Sequence, residues 1–320
     1  MIRNVKHLAI AGLLAFAAPA LAAFPERPIR IVVAFPAGGT NDSAARLVGE
    51  KMQGLLGQPV IVENKPGAGG MIGAEFVASA AADGYTLFMA SGGHTVLPAI
   101  HKSMRYDLAK DFVPIGLACT SGYAVVVRAS SPAHTLAELA DLARKDGNLS
   151  YATTGRGVLT HLAGEWLKQS GKFPAVDVPY KGDTPALADL LGGQVDYSVL
   201  SIPPSLPHIR QGTLRALAVT SADRSSALPK VPTIAEALPS PGYDVSTWFG
   251  LLAPAATPGD AVARLRAAMA QALQMPDVRD KFKAMAMEPG QATPEAFGEM
   301  IERGTARAAE IAKTIGIEPQ

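Results

Sequence analysis

The sequence predicts an α/β protein of two lobes with a ligand cleft between them. Short apolar runs alternate with helical patterns through most of the 320 residues, the alternation falls into two separate series, and a helical tail follows the second. A β-α-β-α-β order with short connections builds a parallel sheet with right-handed crossovers. Two such series in one chain leave a cleft between lobes, a common ligand site.

In the first series, residues 29–35 read as a buried strand and 42–56 as a helix. Strands over 60–63 and 85–90 follow, with a helix over 70–81 between them. The second series starts near Tyr123 with a strand over 124–128. Thr135-x-x-Glu138 is a capping box, two side chains that satisfy orphan amides at the start of a helix running to about Lys145. Strands over 150–153, 176–180, 195–200 and 214–220 then alternate with helices over 160–169, 184–191 and 204–210.

The last part changes character. After the proline-rich stretch 228–241 comes a strand over 247–253, then helices. Thr257-Pro258-x-Asp260 reads as an N-cap, a proline at the first helical position and an acid in the first turn. Val262, Leu265, Met269 and Leu273 form one apolar stripe facing a core. Thr293-Pro294-Glu295 opens the last helix in the same way. The tail is expected to return over the first lobe, so residues 23–123 and 236–320 form lobe 1 and 124–235 lobe 2.

Residues 1–22 read as a secretory signal peptide. Arg3 and Lys6 precede an apolar run from 8 to 18, and Pro19 with Ala20-Leu21-Ala22-Ala23 offers an Ala-x-Ala cleavage site. A membrane anchor is the competing reading. The apolar stretch falls short of the roughly 20 residues a spanning helix needs, and no cysteine follows it to carry a lipid. The expected destination is the periplasm. The leader carries two of the 29 basic residues and none of the 28 acids, so the mature chain stands at 27 against 28, formally −1. Such a balance gives no footprint for nucleic acid or a membrane surface. The lone cysteine, Cys119, has no internal partner and sits in an apolar context, where a buried inert thiol is expected.

Phe35-Pro36-Ala37-Gly38-Gly39-Thr40-Asn41-Asp42 lies between a predicted buried strand and a helix. Glycines let backbone approach a ligand, and helix-start amides favour an anion such as a carboxylate. Thr40 and Asn41 add donors. A tight turn with Asp42 as N-cap fits the same residues. Pro66-Gly67-Ala68-Gly69-Gly70 invites a dinucleotide reading, but its spacing, Gly67-x-Gly69-x-x-x-Gly73, is not G-x-G-x-x-G, and a backbone turn accounts for it. There is no G-x-S-x-G elbow, H-E-x-x-H or glycine-lysine phosphate loop. The histidines share no metal-ligand spacing, and neither cofactor nor metal is expected. His94, after Ser91-Gly92-Gly93, and His161, after Thr154-Gly155-Arg156-Gly157, are each placed either to face the cleft or to serve structure. Trp166 is expected in the core, and Trp248-Phe249, at the lobe junction, either to pack or to contact the ligand.

Together these segments resemble the substrate-binding receptors of tripartite tricarboxylate transporters, the Bug proteins. The resemblance runs from about Pro28 to the C-terminus. It rests on Pro28-Ile29-Arg30-Ile31-Val32-Val33, Phe35-Pro36-Ala37-Gly38-Gly39, Val62-Glu63-Asn64-Lys65-Pro66-Gly67-Ala68-Gly69-Gly70 and Asp83-Gly84-Tyr85-Thr86-Leu87. Val178-Pro179-Tyr180-Lys181-Gly182, Leu190-Leu191-Gly192-Gly193-Gln194-Val195-Asp196 and Trp248-Phe249-Gly250-Leu251-Leu252-Ala253-Pro254 continue it in order.

The resemblance implies a type 2 periplasmic-binding-protein fold, lobes hinged by two crossing segments, no catalysis, and the membrane subunits of a transporter as partners. It implies a small carboxylate, a dicarboxylate or aromatic acid, held by Phe35, Ala37, Gly38, Gly39, Thr40, Asn41 and Asp42 of the first loop. Ser91, Gly92 and His94, then Thr153, Thr154, Arg156, Thr160 and His161, and finally Tyr180 and Lys181 complete the implied site. A monomer without nucleic acid is expected. An exported hydrolase or lyase using His94 or His161 as base, and a periplasmic sensor, are the alternatives. Three places depart from the family pattern: Thr40-Asn41 replaces a third glycine with Thr or Ser, Gly155-Arg156-Gly157-Val158-Leu159-Thr160 replaces a Gly-Asn-Gly-serine loop, and Leu200-Ser201 replaces Asp-Asn. Arg156 in that loop is expected either to take a distal carboxylate or to stand solvated on the rim.

Overall fold

A computed structural model describes residues 24–238, 240–314 and 316; the expected signal peptide, residues 1–22, lies outside them. The first sheet is laid down by β1 (Ile29–Val33), α1 (Thr40–Leu56), β2 (Val60–Asn64), α2 (Met71–Ala78) and β3 (Thr86–Ser91), with α3 (Leu97–Ile100) after it. β1 pairs parallel with β2 and with β3, as the alternating series predicts. β1 and β3 are buried on both faces, which is why they read as unbroken apolar runs.

β4 (Phe112–Arg128) is the first departure from expectation. It is one strand of 17 residues where only 124–128 was predicted. Pro114 and Gly116 interrupt its alternation, and the register with β9 slips there and again between Leu117 and Cys119. Such bulges break the period-two pattern by which a strand is recognised.

The second series follows as α4 (Leu136–Asp146), β5 (Ser150–Thr153), α5 (Leu159–Gly171), β6 (Val176–Pro179), α6 (Asp183–Gly192), β7 (Tyr197–Ser201), α7 (Ile202–Arg210), β8 (Leu214–Val219) and α8 (Ile234–Ala237). The Thr135–Glu138 capping box at α4 is present in both directions. The tail comprises β9 (Ser246–Pro254), α9 (Gly259–Gln274), α10 (Pro276–Ala284), β10 (Glu288–Pro289) and α11 (Pro294–Thr314). Thr257 does not cap α9. Its hydroxyl donates to the Pro254 carbonyl at 2.7 Å, and Pro258 holds the cap position. At α11 the Thr293 hydroxyl does accept from the Ala296 amide, at 3.2 Å.

Strands run in the order β2-β1-β3-β9-β4-β7-β5-β6, with β8 and β10 also pairing with β4. The expected all-parallel character holds only within β1–β2–β3 and β5–β6–β7; β4 and β9 run antiparallel to their neighbours. β4 serves both halves of the molecule. Residues up to Gly122 pair with β9, and from Tyr123 onward the partners are β7 and β8.

Two apolar clusters flank the first sheet and two flank the second. Leu265, Met269 and Leu273 of α9 are buried against α1 and β1, and Phe297 and Ile301 of α11 fill the opposite face. The tail thus covers the first sheet, and each fully buried side chain of this size contributes about 1.5–3 kcal/mol. Tyr243 and Val245 pack in the second half, after which the chain re-enters the first at Ser246. Thr220, fully buried, ties the two crossing segments: its hydroxyl donates to the Val245 carbonyl at 2.6 Å and accepts from the Tyr123 amide at 3.2 Å.

Candidate functional site

Where β1 ends, the chain turns through Phe35–Gly39 and enters α1 at Thr40, two residues earlier than predicted. That shift moves Asp42 from the cap into the first turn. Its carboxylate folds back and accepts from the Gly38 amide at 3.0 Å, Arg46 Nε at 2.9 Å and Asn64 Nδ2 at 3.0 Å. Burial raises the Asp42 pKa, but these hydrogen bonds outweigh it and hold the carboxyl below its usual range. Asp42 is a brace for the loop.

The helix cap falls on Gly39, which has no side chain to offer, and at the start of α1 the Asp183 carboxyl instead approaches the Thr40 amide and hydroxyl from the second half. Asn41 stands beside them with 4 % of its surface exposed, and neither its Nδ2 nor its Oδ1 has a hydrogen-bond partner among the described residues. A buried amide with both ends unsatisfied is uncommon in a folded protein. It lines a small chamber together with Phe35, Gly39 and Thr40.

The second half closes that chamber. Thr154 and Val158 come from the loop before α5, Gly182 and Asp183 from the start of α6, and Ser201 from the end of β7. Ser91, Gly93, Tyr123 and Phe249 form the floor. The halves touch across it: the Thr184 hydroxyl donates to the Ala37 carbonyl at 3.1 Å, and Thr40 Oγ1 lies 3.5 Å from Asp183 Oδ2. Gly182 has φ +130° and a Cβ there would lie 2.9 Å from Pro36 Cδ, so this close approach requires glycine. The chamber is about 40 Å³. At roughly 10–15 Å³ per water, it holds one carboxylate-sized head group and little more.

A second chamber of about 220 Å³ adjoins it across Phe35 and Thr154. Arg156, Tyr180 and Lys181 line this one, with Gly67–Gly70 opposite. The Gly67 segment predicted as a backbone turn is one, and it forms a wall of the cleft.

Of the residues expected at the site, Phe35, Gly39, Thr40, Asn41, Ser91 and Thr154 line the head chamber, and Arg156, Tyr180 and Lys181 the outer one. Ala37, Gly38, Asp42, Gly92, His94, Thr153, Thr160 and His161 line neither. Several of these support residues that do. Thr160 Oγ1 accepts from the Thr154 amide at 3.0 Å, and Thr153 donates to the Gly155 carbonyl at 3.1 Å. Tyr123, Asp183 and Phe249 are lining residues that sequence reasoning did not select. The pair at the junction divides: Trp248 packs edge-on against Phe297, while Phe249 lines the head chamber. Trp166 is half-buried and stacks on Tyr243.

His94 is fully buried behind the chamber, edge-on to Phe35 and Phe88. Its Nδ1 accepts from the Ser91 amide at 3.0 Å, and burial lowers its pKa to about 4, so the ring is neutral. Nε2 has no partner among the described residues and faces Gly70, where φ is +103° and a Cβ would lie 2.6 Å away.

His161, Glu165 and Asp177 bring ligand atoms within 4.8 Å of one another. The cluster is poorly arranged for a metal. His161 Nδ1 accepts from the Gly157 amide, which leaves the proton on Nε2, the nitrogen that faces Asp177 at 3.9 Å. Tyr151 and Lys168 occupy Glu165, and Arg156 approaches Asp177 at 3.4 Å. Cys119 is buried against Met287, and burial pushes its thiol pKa far up.

Comparison with known proteins agrees with this architecture. Residues 44–317 match the model of the tripartite tricarboxylate transporter family receptor. The chain is 40% identical over 288 residues to a protein from the tcbD–tcbE intergenic region of Pseudomonas sp. strain P51, covering 90% of this chain and 86% of that one. The structure of the periplasmic binding protein BugD superposes with a TM-score of 0.89 at 36% identity, over 93% of this chain and 100% of the other. R. palustris Rpa4515, solved with adipate, gives 0.89 at 35% identity over the same shares.

Proposed function

Since the chain belongs to the tripartite tricarboxylate transporter receptor family, we propose that it is a periplasmic receptor that captures a small carboxylate and delivers it to the membrane subunits of such a transporter. The observation that carries the reading is the head chamber: at the start of α1, where Gly39 offers no cap of its own, stands Asn41, whose buried amide has no partner among the described residues. A carboxylate supplies the acceptor that Asn41 Nδ2 lacks. It accepts from the backbone and from Asn41 Nδ2, and it sits at the positive end of a 17-residue helix. Arg156 and Lys181 in the outer chamber favour a second carboxylate, so the proposed ligand is a dicarboxylate spanning both chambers.

The lobes are proposed to hinge where the chain crosses between them, at Gly122–Tyr123 and Val245–Ser246, the two points that Thr220 links. The receptor is proposed to act as a monomer, and to bind without chemistry. His94 and His161, the candidate bases, line neither chamber. Export is supported by the leader in residues 1–22, and no described helix is long and apolar enough to cross a membrane.

A thermal-shift screen with mono- and dicarboxylates, aromatic acids and amino acids tests the reading. A ligand at 100 times its Kd adds about 2.7 kcal/mol of stability. A panel in which no carboxylate raises the melting temperature refutes it.

A further inference from the structure

Among the described residues, the head chamber is lined by one carboxylic acid and by no basic side chain. The acid is Asp183. Tyr123, the other titratable lining group, is kept protonated by burial. The cations of the cleft, Arg156 and Lys181, line the outer chamber instead. A receptor that holds a carboxylate at α1 therefore sets it beside an acid of its own.

Asp183 is fixed in that position. Its Oδ1 accepts from the Ser201 amide at 3.2 Å, and Oδ2 lies 3.5 Å from the Thr40 hydroxyl across the cleft. Gly39 lies close to it, since a Cβ there would stand 3.8 Å from Oδ2. Solvent still reaches part of the residue, while protein crowds the carboxyl and raises its pKa against the hydrogen bonds from Ser201 and Thr40. An ionised carboxyl has only acceptors to offer. A plain carboxylate bound at Thr40 and Asn41 would face the ionised form with lone pairs against lone pairs, and like charges at close range repel. A hydroxyl or ammonium on the carbon next to the ligand carboxylate turns that repulsion into a hydrogen bond.

We propose that Asp183 is a specificity-determining residue, selecting carboxylates that bear a hydrogen-bond donor on the adjacent carbon. The inference rests on the receptor reading above and narrows its ligand class to 2-hydroxy and 2-amino acids. Rejection of the unsubstituted acid is the larger part of the effect, because a site built around a buried polar group discriminates most strongly against the analogue that leaves it unpaired.

Calorimetric titration of the mature chain against three matched sets tests it: succinate, malate and aspartate; glutarate, 2-hydroxyglutarate and glutamate; adipate, 2-hydroxyadipate and 2-aminoadipate. In the best-fitting set, a donor-bearing member should bind at least about tenfold tighter than the plain acid. In Asp183→Ala that preference should collapse to within about threefold, chiefly because the plain acid binds better. Asp183→Asn keeps the shape and the acceptor oxygen but not the charge, so it should lose the amino-acid preference while retaining part of the hydroxy-acid preference. Equal binding of plain and substituted acids by the unaltered protein overturns the proposal and leaves the receptor intact, as does a preference that survives both substitutions. Failure of all nine acids, with the other carboxylates of the thermal screen also failing, overturns the receptor reading itself.

Discussion

Replacing Asn41 by alanine should make the free protein no less stable and its ligand much weaker, two effects of opposite sign from one substitution. In the structure the amide is buried with both ends unpaired among the described residues. Leaving a buried donor or acceptor unsatisfied costs about 1–3 kcal/mol, and Asn41→Ala removes both. Alanine is also the better helix former by about 0.5 kcal/mol. Against this stands the packing lost by truncating a buried side chain, of order 1 kcal/mol. The free protein is therefore expected to hold its stability or gain about 1 kcal/mol, a rise of about 2–4 °C in melting temperature. With the carboxylate bound, the hydrogen bond from Nδ2 to a charged oxygen is worth about 1.5–3 kcal/mol, so affinity should fall about 10- to 150-fold. Urea unfolding of the free protein and calorimetric titration of the same preparation measure both. An asparagine held for structural reasons predicts the reverse pattern. A variant that loses more than about 1 kcal/mol of stability while binding its ligand unchanged refutes the reasoning.

Arg156→Ala should weaken a dicarboxylate about tenfold and leave the matching monocarboxylate nearly unaffected; equal losses by calorimetry would show that the guanidinium does not meet the distal charge. His94 makes stability pH-dependent, because its folded pKa of about 4 lies below the ordinary value of 6.5. The unfolded chain protonates first, so the contribution is full above pH 6.5 and disappears as the pH falls to 4, a loss of about 3 kcal/mol. His94→Gln should remove about 3 kcal/mol of that loss in urea titrations run across the window; His161, whose pKa burial also lowers, acts in the same direction, and Asp183, whose pKa burial raises, acts against both; an unchanged slope contradicts the assignment. Thr220→Val strips a hydroxyl from between the Tyr123 amide and the Val245 carbonyl, and should cost about 1–3 kcal/mol, read as a lower urea midpoint; a change below about 0.5 kcal/mol would mean that the crossing segments do not depend on it.

The strand and helix order was largely legible because buried parallel strands such as β1 and β3 read as continuous apolar runs, and because Thr135–Glu138 marks a helix start. β4 was not, since Pro114, Gly116 and two slips of register hide a strand that pairs across both sheets. α1 began early because a glycine took the cap position, which no side-chain preference signals, and Asp42 was left free to brace the Gly38 loop. The same distinction runs through the site. The glycine turn with Thr40 and Asn41 was readable from local sequence, since a strand-to-helix junction needs only neighbours. Asp183 and Tyr123 were not, because they reach the chamber through the closure of one half on the other. His94 and His161, beside glycine loops, left cleft-facing and structural roles both open in the sequence; in the fold their Nδ1 atoms accept from the backbone amides of Ser91 and Gly157.

A crystal structure of the mature protein with the tightest acid from the thermal screen tests the central claim most directly. The ligand carboxylate is expected within about 2.7–3.2 Å of the first α1 amides and of Asn41 Nδ2, with the rest of the molecule passing Phe35 and Thr154 toward Arg156 and Lys181. A ligand bound with its carboxylate away from α1, and Asn41 still unpaired beneath it, would contradict the account.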